Sequence, residues 1–243
     1  MEAVVIERAF VRVKGPDAAA YLQGQLSQDI DPLAVGDGAP AFLLEPNGKV
    51  VALLRVFRAA DDEFELVTDE PAGEAVAARL RQFLLRTKAE IGDPAPEPST
   101  LIFDETSRDD AMPYVIWPTE PAPQEVRGAD VVPDAESGEA VRIAAGIPVS
   151  GVDIGPGTIP AEAGTWLVRA AVSFTKGCYT GQELVARIDS RGGNVARRLR
   201  GVILGEGAVP VGATLEADGK EAGRITSVAW SPGLGSTVAL AYV

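Results

Sequence analysis

The sequence of 243 residues contains no histidine and only one cysteine, Cys178. Without histidine the chain cannot build a Ser-His-Asp or Cys-His catalytic site, a histidine proton relay or most transition-metal sites. One cysteine excludes an internal disulfide, and one thiolate cannot hold an iron–sulfur cluster alone, because such clusters normally take four cysteines. Chemistry must therefore come from Cys178, carboxylates, lysine or a bound cofactor, and no metal site is predicted.

Long apolar runs are also missing. No run approaches the length of a membrane span, and Glu7 and Arg8 interrupt the first strand-like segment before a signal-peptide core could form. We therefore expect no membrane association and a cytoplasmic location. The net charge of −13 repels phosphate backbones, so general nucleic-acid binding is not expected. The most basic stretch, VARRLR at 195–200, is interpreted as solvated arginines of a strand, although a local cationic site could hold a small anionic ligand.

Residues from about 41 to 93 predict a compact α/β unit. Pro46-Asn47-Gly48 separates two apolar runs and is a strong hairpin signal. EFELVTD alternates as a third strand, and TKAEIGD is expected to close the unit as a strand. Between them lies an amphipathic helix that begins at Pro71. Its predicted inner face consists of Val76, Leu80, Phe83 and Leu84.

The regions before and after this α/β unit have different sequence patterns. A short helix is expected after Asp17, with Ala19, Leu22 and Leu26 on one stripe. Residues 94–136 are rich in proline and acidic residues, which favours a connection along the surface with short strands at LIFDE and YVIWP. From residue 197 onward, short strands alternate with glycine turns, a pattern typical of a small β-barrel.

The single cysteine lies in SFTKGCYTGQE, residues 173–183. Thr180 and Glu183 fit a capping box, so a helix is expected to begin just after Cys178. A helix N-terminus and the nearby Lys176 both favour the thiolate, and glycines at 177 and 181 permit close approach of the backbone to a ligand. The alternative is that Cys178 is a buried, inert hydrophobic residue.

TKGCYTGQE is similar to the signature of the YgfZ family, which comprises folate-binding relatives of the glycine-cleavage T-protein that assist iron–sulfur protein maturation. GPDAAAYLQGQLSQDI, RIAAGIP and IPAEAG occur in the family's order, and the C-terminal sequence resembles the closing barrel strands of these proteins. The resemblance implies an α+β fold of the T-protein type with a ferredoxin-like unit at about 41–93. It also implies a folate-binding region at 1–195 and a C-terminal β-barrel at 196–243.

The resemblance also implies a cofactor, tetrahydrofolate or a related reduced folate. In T-proteins the glutamate of a Pro-x-Glu motif pairs with the pterin, and Glu162 occupies the matching place here. A carboxylate can accept two parallel hydrogen bonds from an aminopyrimidine edge. The residues that match the family signature are Lys176, Cys178, Tyr179, Gln182, Glu183 and Arg187.

The resemblance also implies roles for these residues. Cys178 is implied as the functional thiol with Lys176 beside it, and Gln182 as a residue that binds the folate. Tyr179 is expected either to stack on a flat ring or to pack in the core. Arg187 is expected either to hold a carboxylate of the ligand or to pair with Glu183 one helical turn away.

Three functions remain open. The first is an accessory protein that supports assembly, repair or maturation of iron–sulfur proteins, with a reduced folate and iron–sulfur client proteins or cluster carriers as partners. The second is an aminomethyltransferase-like enzyme, but the aspartate that T-proteins use cannot be assigned among Asp104, Asp109 and Asp110. The third is an interaction module whose thiol senses redox state. The cysteine in the signature favours the first, and thus an accessory protein over an enzyme.

Overall fold

The computed structural model describes the backbone of residues 2–103, 114–117, 130–131, 135–205 and 207–243, and the side chains within these ranges except those of 2–6, 98–103, 114–117, 130–131 and 135–137. Two sheets and six α-helices make up the described chain, which confirms the α+β class. The helices are α1 Ala18–Gln25, α2 Gly73–Gln82, α3 Ala135–Ala144, α4 Pro160–Ala163, α5 Thr165–Ala171 and α6 Gln182–Asp189. Among the described residues, none of these helices has the length and apolar character needed to cross a membrane.

The larger sheet is built around the first strand of the chain. Its strands are β1 Glu2–Lys14, β2 Gly38–Leu44, β3 Val50–Ala60, β4 Glu63–Asp69, β5 Glu90–Ile91, β6 Ala95–Phe103, β7 Tyr114–Trp117 and β8 Asp130–Val131. The order is β2-β3-β4-β1-β6-β7, and β5 and β8 also pair with β1. The pairings are antiparallel except that of β8 with β1. The predicted hairpin and third strand are confirmed as β2, β3 and β4.

Both faces of this sheet are covered. Consecutive side chains of β2 point to opposite faces and so belong to two different cores. Leu43 packs with Leu22 of α1 and Leu80 of α2 in one core. Phe42, one position earlier and therefore on the opposite face, packs with Leu167 of α5 in a second core. The second core also contains Val185 of α6 and Leu240 of the C-terminal sheet.

The smaller sheet is formed by the C-terminal part of the chain. Its strands are β9 Leu199–Gly205, β10 Thr214–Ala217, β11 Lys220–Ser231 and β12 Ser236–Tyr242, in the antiparallel order β10-β11-β12-β9. The side chain of Asp153 is fully buried beneath it. This carboxylate accepts hydrogen bonds from Arg142 Nη1 at 3.0 Å, Thr226 Oγ1 at 2.5 Å and Ser227 Oγ at 2.7 Å. Asp153 therefore ties β11 to α3.

Three expectations about the first half of the chain need correction. The proline-rich segment is not a surface connection over 95–103, since these residues form β6 and pair with β1 along their whole length. Helix α2 ends at Gln82, so Phe83 and Leu84 lie beyond it. The closing strand β5 has only two residues.

Two other predictions are not decided by these elements. The aspartates Asp104, Asp109 and Asp110 lie outside the described residues. The division of the chain into regions 1–195 and 196–243 stays a prediction.

Candidate functional site

Cys178 lies on the connection between α5 and α6, in a segment that we call the cysteine loop, residues 173–180. The loop is hydrogen bonded at both ends to the end of α1 and the residues after it. Ser173 N–H donates to the Ser27 carbonyl at 3.0 Å, and Thr180 N–H donates to the Gly24 carbonyl at 3.0 Å. Between these two attachments the Cys178 side chain is exposed to solvent. The alternative in which Cys178 is buried is therefore wrong, and the reactivity of its thiol stays a prediction.

Lys176 forms a third attachment in the middle of the cysteine loop. Its Nζ donates to the carbonyl oxygens of Gln23 at 2.7 Å, Leu26 at 2.9 Å and Gln28 at 2.7 Å. It also donates to Oε1 of Gln23 at 3.1 Å. The last carbonyls of a helix have no partner within the helix, and a cation is favourable there. Lys176 thus caps the carboxyl end of α1 from a distant part of the chain.

The environment of Lys176 changes its proton affinity. Burial lowers the pKa of Lys176 to about 8, while the nearby carboxylates of Asp29 and Asp31 act in the opposite direction. The hydrogen bonds described for Nζ go to Gln23 in the last turn of α1 and to Leu26 and Gln28 just after it, and among the described residues none joins Nζ to Cys178. Activation of the thiol by Lys176 stays a prediction.

The helix that follows the cysteine loop does not begin with the predicted capping box. The N-cap of α6 is Gly181, in the left-handed conformation at φ 85°, and no side chain caps it. Thr180 instead turns toward the end of α1. The Gln182 side chain bridges the start of the helix, because its Oε1 accepts the Tyr179 N–H at 3.1 Å. The expected helix exists, but the capping assignment of Thr180 and Glu183 is wrong.

The two glycines of the motif have different surroundings. A Cβ on Gly181 would lie 2.6 Å from the Glu45 carbonyl oxygen and 3.2 Å from Gly48 Cα. Gly181 therefore lets the start of α6 contact the turn between β2 and β3. Around Gly177, in contrast, a Cβ would meet no atom within 4 Å. The close approach expected at residue 181 is thus made by the protein's own backbone.

The remaining signature residues, Tyr179 and Arg187, differ in burial. Tyr179 is 8% exposed and packs in that core, and burial raises its pKa to about 12. Core packing, one of its two expected roles, is confirmed, and stacking on a ligand stays a prediction. Arg187 is exposed on α6, and the ion pairs of the described residues do not join it to Glu183.

Glu162 lies on α4, and its carboxylate is only 12% exposed. Oε2 accepts the Ile159 N–H at 3.2 Å. Oε1 accepts from Arg197 Nε at 3.1 Å, and Arg197 Nη2 lies 3.5 Å from Oε2. The Arg197 guanidinium also covers the ring of Tyr242, 4.6 Å from its centroid. The two donors of one guanidinium thus face the two oxygens of this carboxylate.

Arg197 was missed by the sequence analysis, which interpreted the basic stretch as solvated arginines of a strand. The strand assignment is wrong for Arg197 and Arg198, because β9 begins only at Leu199, although the Arg197 side chain is exposed. Arg197 pairs with Glu162, and Arg198 donates to the Gly193 carbonyl at 2.6 Å. The only signal in the sequence was the cluster of positive charge itself.

An apolar cleft lies between α4, α5 and α6, and its lining includes Pro160 and Ala161 but not Glu162, the next residue of α4. It has about 450 Å³ of empty space, counting the part open to solvent. Most of its wall is formed by Pro160, Ala161, Val168, Leu184, Val185 and Ile188. Arg198 lies at its rim and donates to Thr165 Oγ1 at 3.2 Å. Among the described residues, no cluster of acidic or cysteine side chains could hold a metal ion.

Comparison with known structures identifies the fold. The chain superimposes on the glycine cleavage system aminomethyltransferase T from Bartonella henselae with a TM-score of 0.75, covering 99% of this chain and 78% of that one. The two sequences are 19% identical, so this likeness concerns the fold alone. Residues 197–243 match the glycine cleavage T-protein C-terminal barrel domain. The predicted T-protein-like fold with a terminal barrel is therefore confirmed.

Sequence relatives cover most of the chain. An uncharacterised protein of Haemophilus influenzae is 30% identical over 89% of this chain and 80% of its own length. The tRNA-modifying protein YgfZ of Klebsiella pneumoniae is 30% identical, with 76% of this chain and 66% of that protein covered. The protein of the same name from an Enterobacter species is 28% identical, with 76% and 67% covered. Together with the signature around Cys178, these relatives show that the chain belongs to the YgfZ family.

Proposed function

We propose that this protein is a folate-binding accessory protein that supports the assembly, repair or maturation of iron–sulfur proteins, with Cys178 as its functional thiol. The observation that carries the proposal is the environment of Glu162. Its side chain is mostly buried and faces a planar group with two N–H donors, and the residue before it in α4, Ala161, lines an apolar cleft. We place the protein in the cytoplasm as part of the same proposal.

The hydrogen bonds that Glu162 accepts from Arg197 resemble those that a reduced folate could donate. A pterin presents two parallel N–H donors on its aminopyrimidine edge, and a guanidinium presents donors to a carboxylate in the same way. Arg197 therefore binds the Glu162 carboxylate much as the aminopyrimidine edge of the ligand would. The cleft beside α4 offers apolar side chains for the body of a flat ring. A bound reduced folate would supply a carrier for one-carbon groups.

The thiol is suited to a partner that comes from outside. Cys178 is exposed, and its loop is held at both ends and in the middle. One thiolate supplies one of the four ligands that a cluster normally takes, so a client protein or cluster carrier must supply the rest. The cluster would thus be cargo that Cys178 contacts during transfer or repair.

An accessory role also agrees with the charge of the protein. The relatives are named for tRNA modification, yet the net charge of −13 disfavours direct binding of a phosphate backbone. We therefore propose that the chain acts on proteins and leaves contact with nucleic acid to them. No observation on the described residues favours the aminomethyltransferase alternative.

Folate binding is tested by calorimetry with tetrahydrofolate under anaerobic conditions. Glu162→Gln keeps the shape of the side chain but replaces one acceptor oxygen with a donor that faces the donors of the pterin. We expect the binding free energy to weaken by about 1–3 kcal/mol, the cost of one mismatched buried polar group. Glu183→Gln, an exposed residue of α6, is the matched control and should bind like the wild type.

Equal affinity of Glu162→Gln and wild type would contradict the assignment of the site. Absence of binding to the wild type would instead favour the redox-sensing module. The iron–sulfur role is tested separately by replacing the chromosomal gene with Cys178→Ser and assaying iron–sulfur enzymes in extracts of the host. Their activities should fall while the amount of folded Cys178→Ser protein stays at the wild-type level.

A further inference from the structure

Lys176 makes the shortest side-chain hydrogen bonds that the described contacts show between the cysteine loop and the end of α1. Its ammonium donates to three main-chain carbonyls, those of Gln23, Leu26 and Gln28, within 2.7–2.9 Å. Helix α1 has no basic residue in its own last turn. The carbonyls at its carboxyl end therefore take their cation from the cysteine loop.

Two backbone hydrogen bonds beside Lys176 also hold the cysteine loop against the end of α1. Ser173 N–H and Thr180 N–H lie on either side of Lys176 in sequence, and both donate to carbonyls of the same segment, Ser27 and Gly24. Cys178 lies between Lys176 and Thr180, so both of its flanks are fixed while its own side chain is exposed. The Lys176 ammonium also lies 5.5 Å from the centroid of the Tyr179 ring, which anchors the loop in the second core.

We infer that Lys176 is a positioning residue: its ammonium binds the carbonyls at the end of α1 and thereby sets the direction in which Cys178 leaves the surface. This inference rests on the proposed role of Cys178 as the functional thiol. It differs from the role expected from the sequence, in which the lysine lowers the proton affinity of the thiol directly. In the structure the donors of the ammonium are taken up by carbonyl oxygens.

Amide hydrogen exchange of Ser173 and Thr180, followed by NMR, tests the contact. In Lys176→Ala, exchange at both amides should accelerate by at least about tenfold, because several charge-assisted bonds are lost. Lys220→Ala removes an exposed lysine of β11 and should leave both rates unchanged. Lys176→Arg tests whether the shape of the cation matters, since arginine keeps the charge but cannot place one compact ammonium among three carbonyls.

Chemical rescue separates positioning from general destabilisation. Lys176→Ala lacks three carbons and the ammonium, which together have the composition of n-propylammonium. This ion should restore slow exchange at Ser173 and Thr180. Tetramethylammonium has the same charge but no N–H donor, and it should not. If n-propylammonium fails to restore exchange, or if exchange is not accelerated in Lys176→Ala, the inference is wrong.

The pH dependence of alkylation of Cys178 distinguishes the two roles of the lysine. A positioning role leaves the midpoint of the rate–pH profile in Lys176→Ala equal to that of the wild type, whereas direct activation of the thiol raises it. A raised midpoint with unchanged amide exchange would overturn the inference. These measurements need neither folate nor a client protein, so a failure of the proposed function, seen as normal iron–sulfur enzymes with Cys178→Ser, is recognised separately.

Discussion

Oε1 of Glu162 lies 3.1 Å from Nε of Arg197, so the carboxylate proposed for the folate already has a partner within the protein. The Arg197 side chain is 49% exposed, and a pair of this kind contributes at most about 1 kcal/mol. A ligand that binds Glu162 must displace Arg197. Arg197→Ala should therefore raise the affinity for tetrahydrofolate by up to about fivefold, as measured by calorimetry.

Arg200→Ala, which removes an exposed arginine of β9, is the control for a general effect of charge. A lower affinity in Arg197→Ala would mean that the arginine contacts the ligand itself.

The two glycines of the signature should respond differently to a methyl group. Gly181 has φ 85°, and a Cβ there would lie 2.6 Å from the Glu45 carbonyl oxygen. Gly181→Ala should lower the free energy of unfolding by roughly 1–3 kcal/mol or more, because strain and a clash with the backbone add. Gly177→Ala adds its methyl to open space and should be close to neutral. Urea denaturation of both variants checks this, and similar losses at the two positions would contradict it.

Neutralising the buried carboxylate of Asp153 should lower stability more than neutralising an exposed carboxylate. Asp153→Asn removes the buried one of the two carboxylates that pair with Arg142, whose side chain is 7% exposed, and leaves Glu139, which is 41% exposed. Breaking a buried pair in this way typically costs about 3–5 kcal/mol. Asp93→Asn, in the exposed pair with Arg81, should cost no more than about 1 kcal/mol. Thermal unfolding of both variants compares the two positions, and equal effects would show that burial of the pair does not matter.

Cys178 should react in the folded protein. Because its side chain is exposed, iodoacetamide should alkylate it at a similar rate with and without denaturant. Cys178→Ser should leave the melting temperature nearly unchanged, since exposed substitutions usually change stability by less than about 0.5 kcal/mol. Mass spectrometry of the alkylated protein follows the reaction. Protection of the thiol until denaturant is added would be incompatible with the loop described here.

The lowered pKa of Lys176 gives stability a defined dependence on pH. The folded protein releases this proton near pH 8, whereas the unfolded chain holds it up to about pH 10.5. Between these values the unfolded chain binds more protons, so a rise in pH favours the folded state. The free energy of unfolding of the wild type, relative to Lys176→Met, should therefore increase from pH 8 to pH 10.5 and be flat below pH 8. A difference that is flat throughout, or that falls with pH, would show that the pKa is not lowered.

Local signals in the sequence were reliable where the contacts are local. Pro46-Asn47-Gly48 predicted the turn between β2 and β3 because the turn itself requires such residues. The start of α6 was misassigned because Thr180 bonds to Gly24, far away in the chain. The partner of Glu162 was missed for the same reason, since Arg197 is 35 residues away and nothing local marks the pair.

Proline misled the analysis at β6. Pro96 and Pro98 alternate along the strand, so their nitrogens point to the same side. Among the described strands, β1 pairs with β6 along its whole length and β7 pairs on the other side only from Thr100 to Phe103, so that edge of β6 has no described partner at Pro96 and Pro98. A strand tolerates proline at such an unpaired edge. Which edge is unpaired depends on β1 and β7, so the segment could not be recognised from its own residues.

Lys176 and Gln23, joined by a hydrogen bond of 2.7 Å, are 153 residues apart in the chain. During synthesis α1 leaves the ribosome long before the cysteine loop exists, and contacts between such distant segments form slowly. The carbonyls at the end of α1 cannot receive this cation until residue 176 has been made. On the positioning role inferred for Lys176, a nascent or partly unfolded chain in which Lys176 has not bound the end of α1 carries Cys178 without a fixed direction.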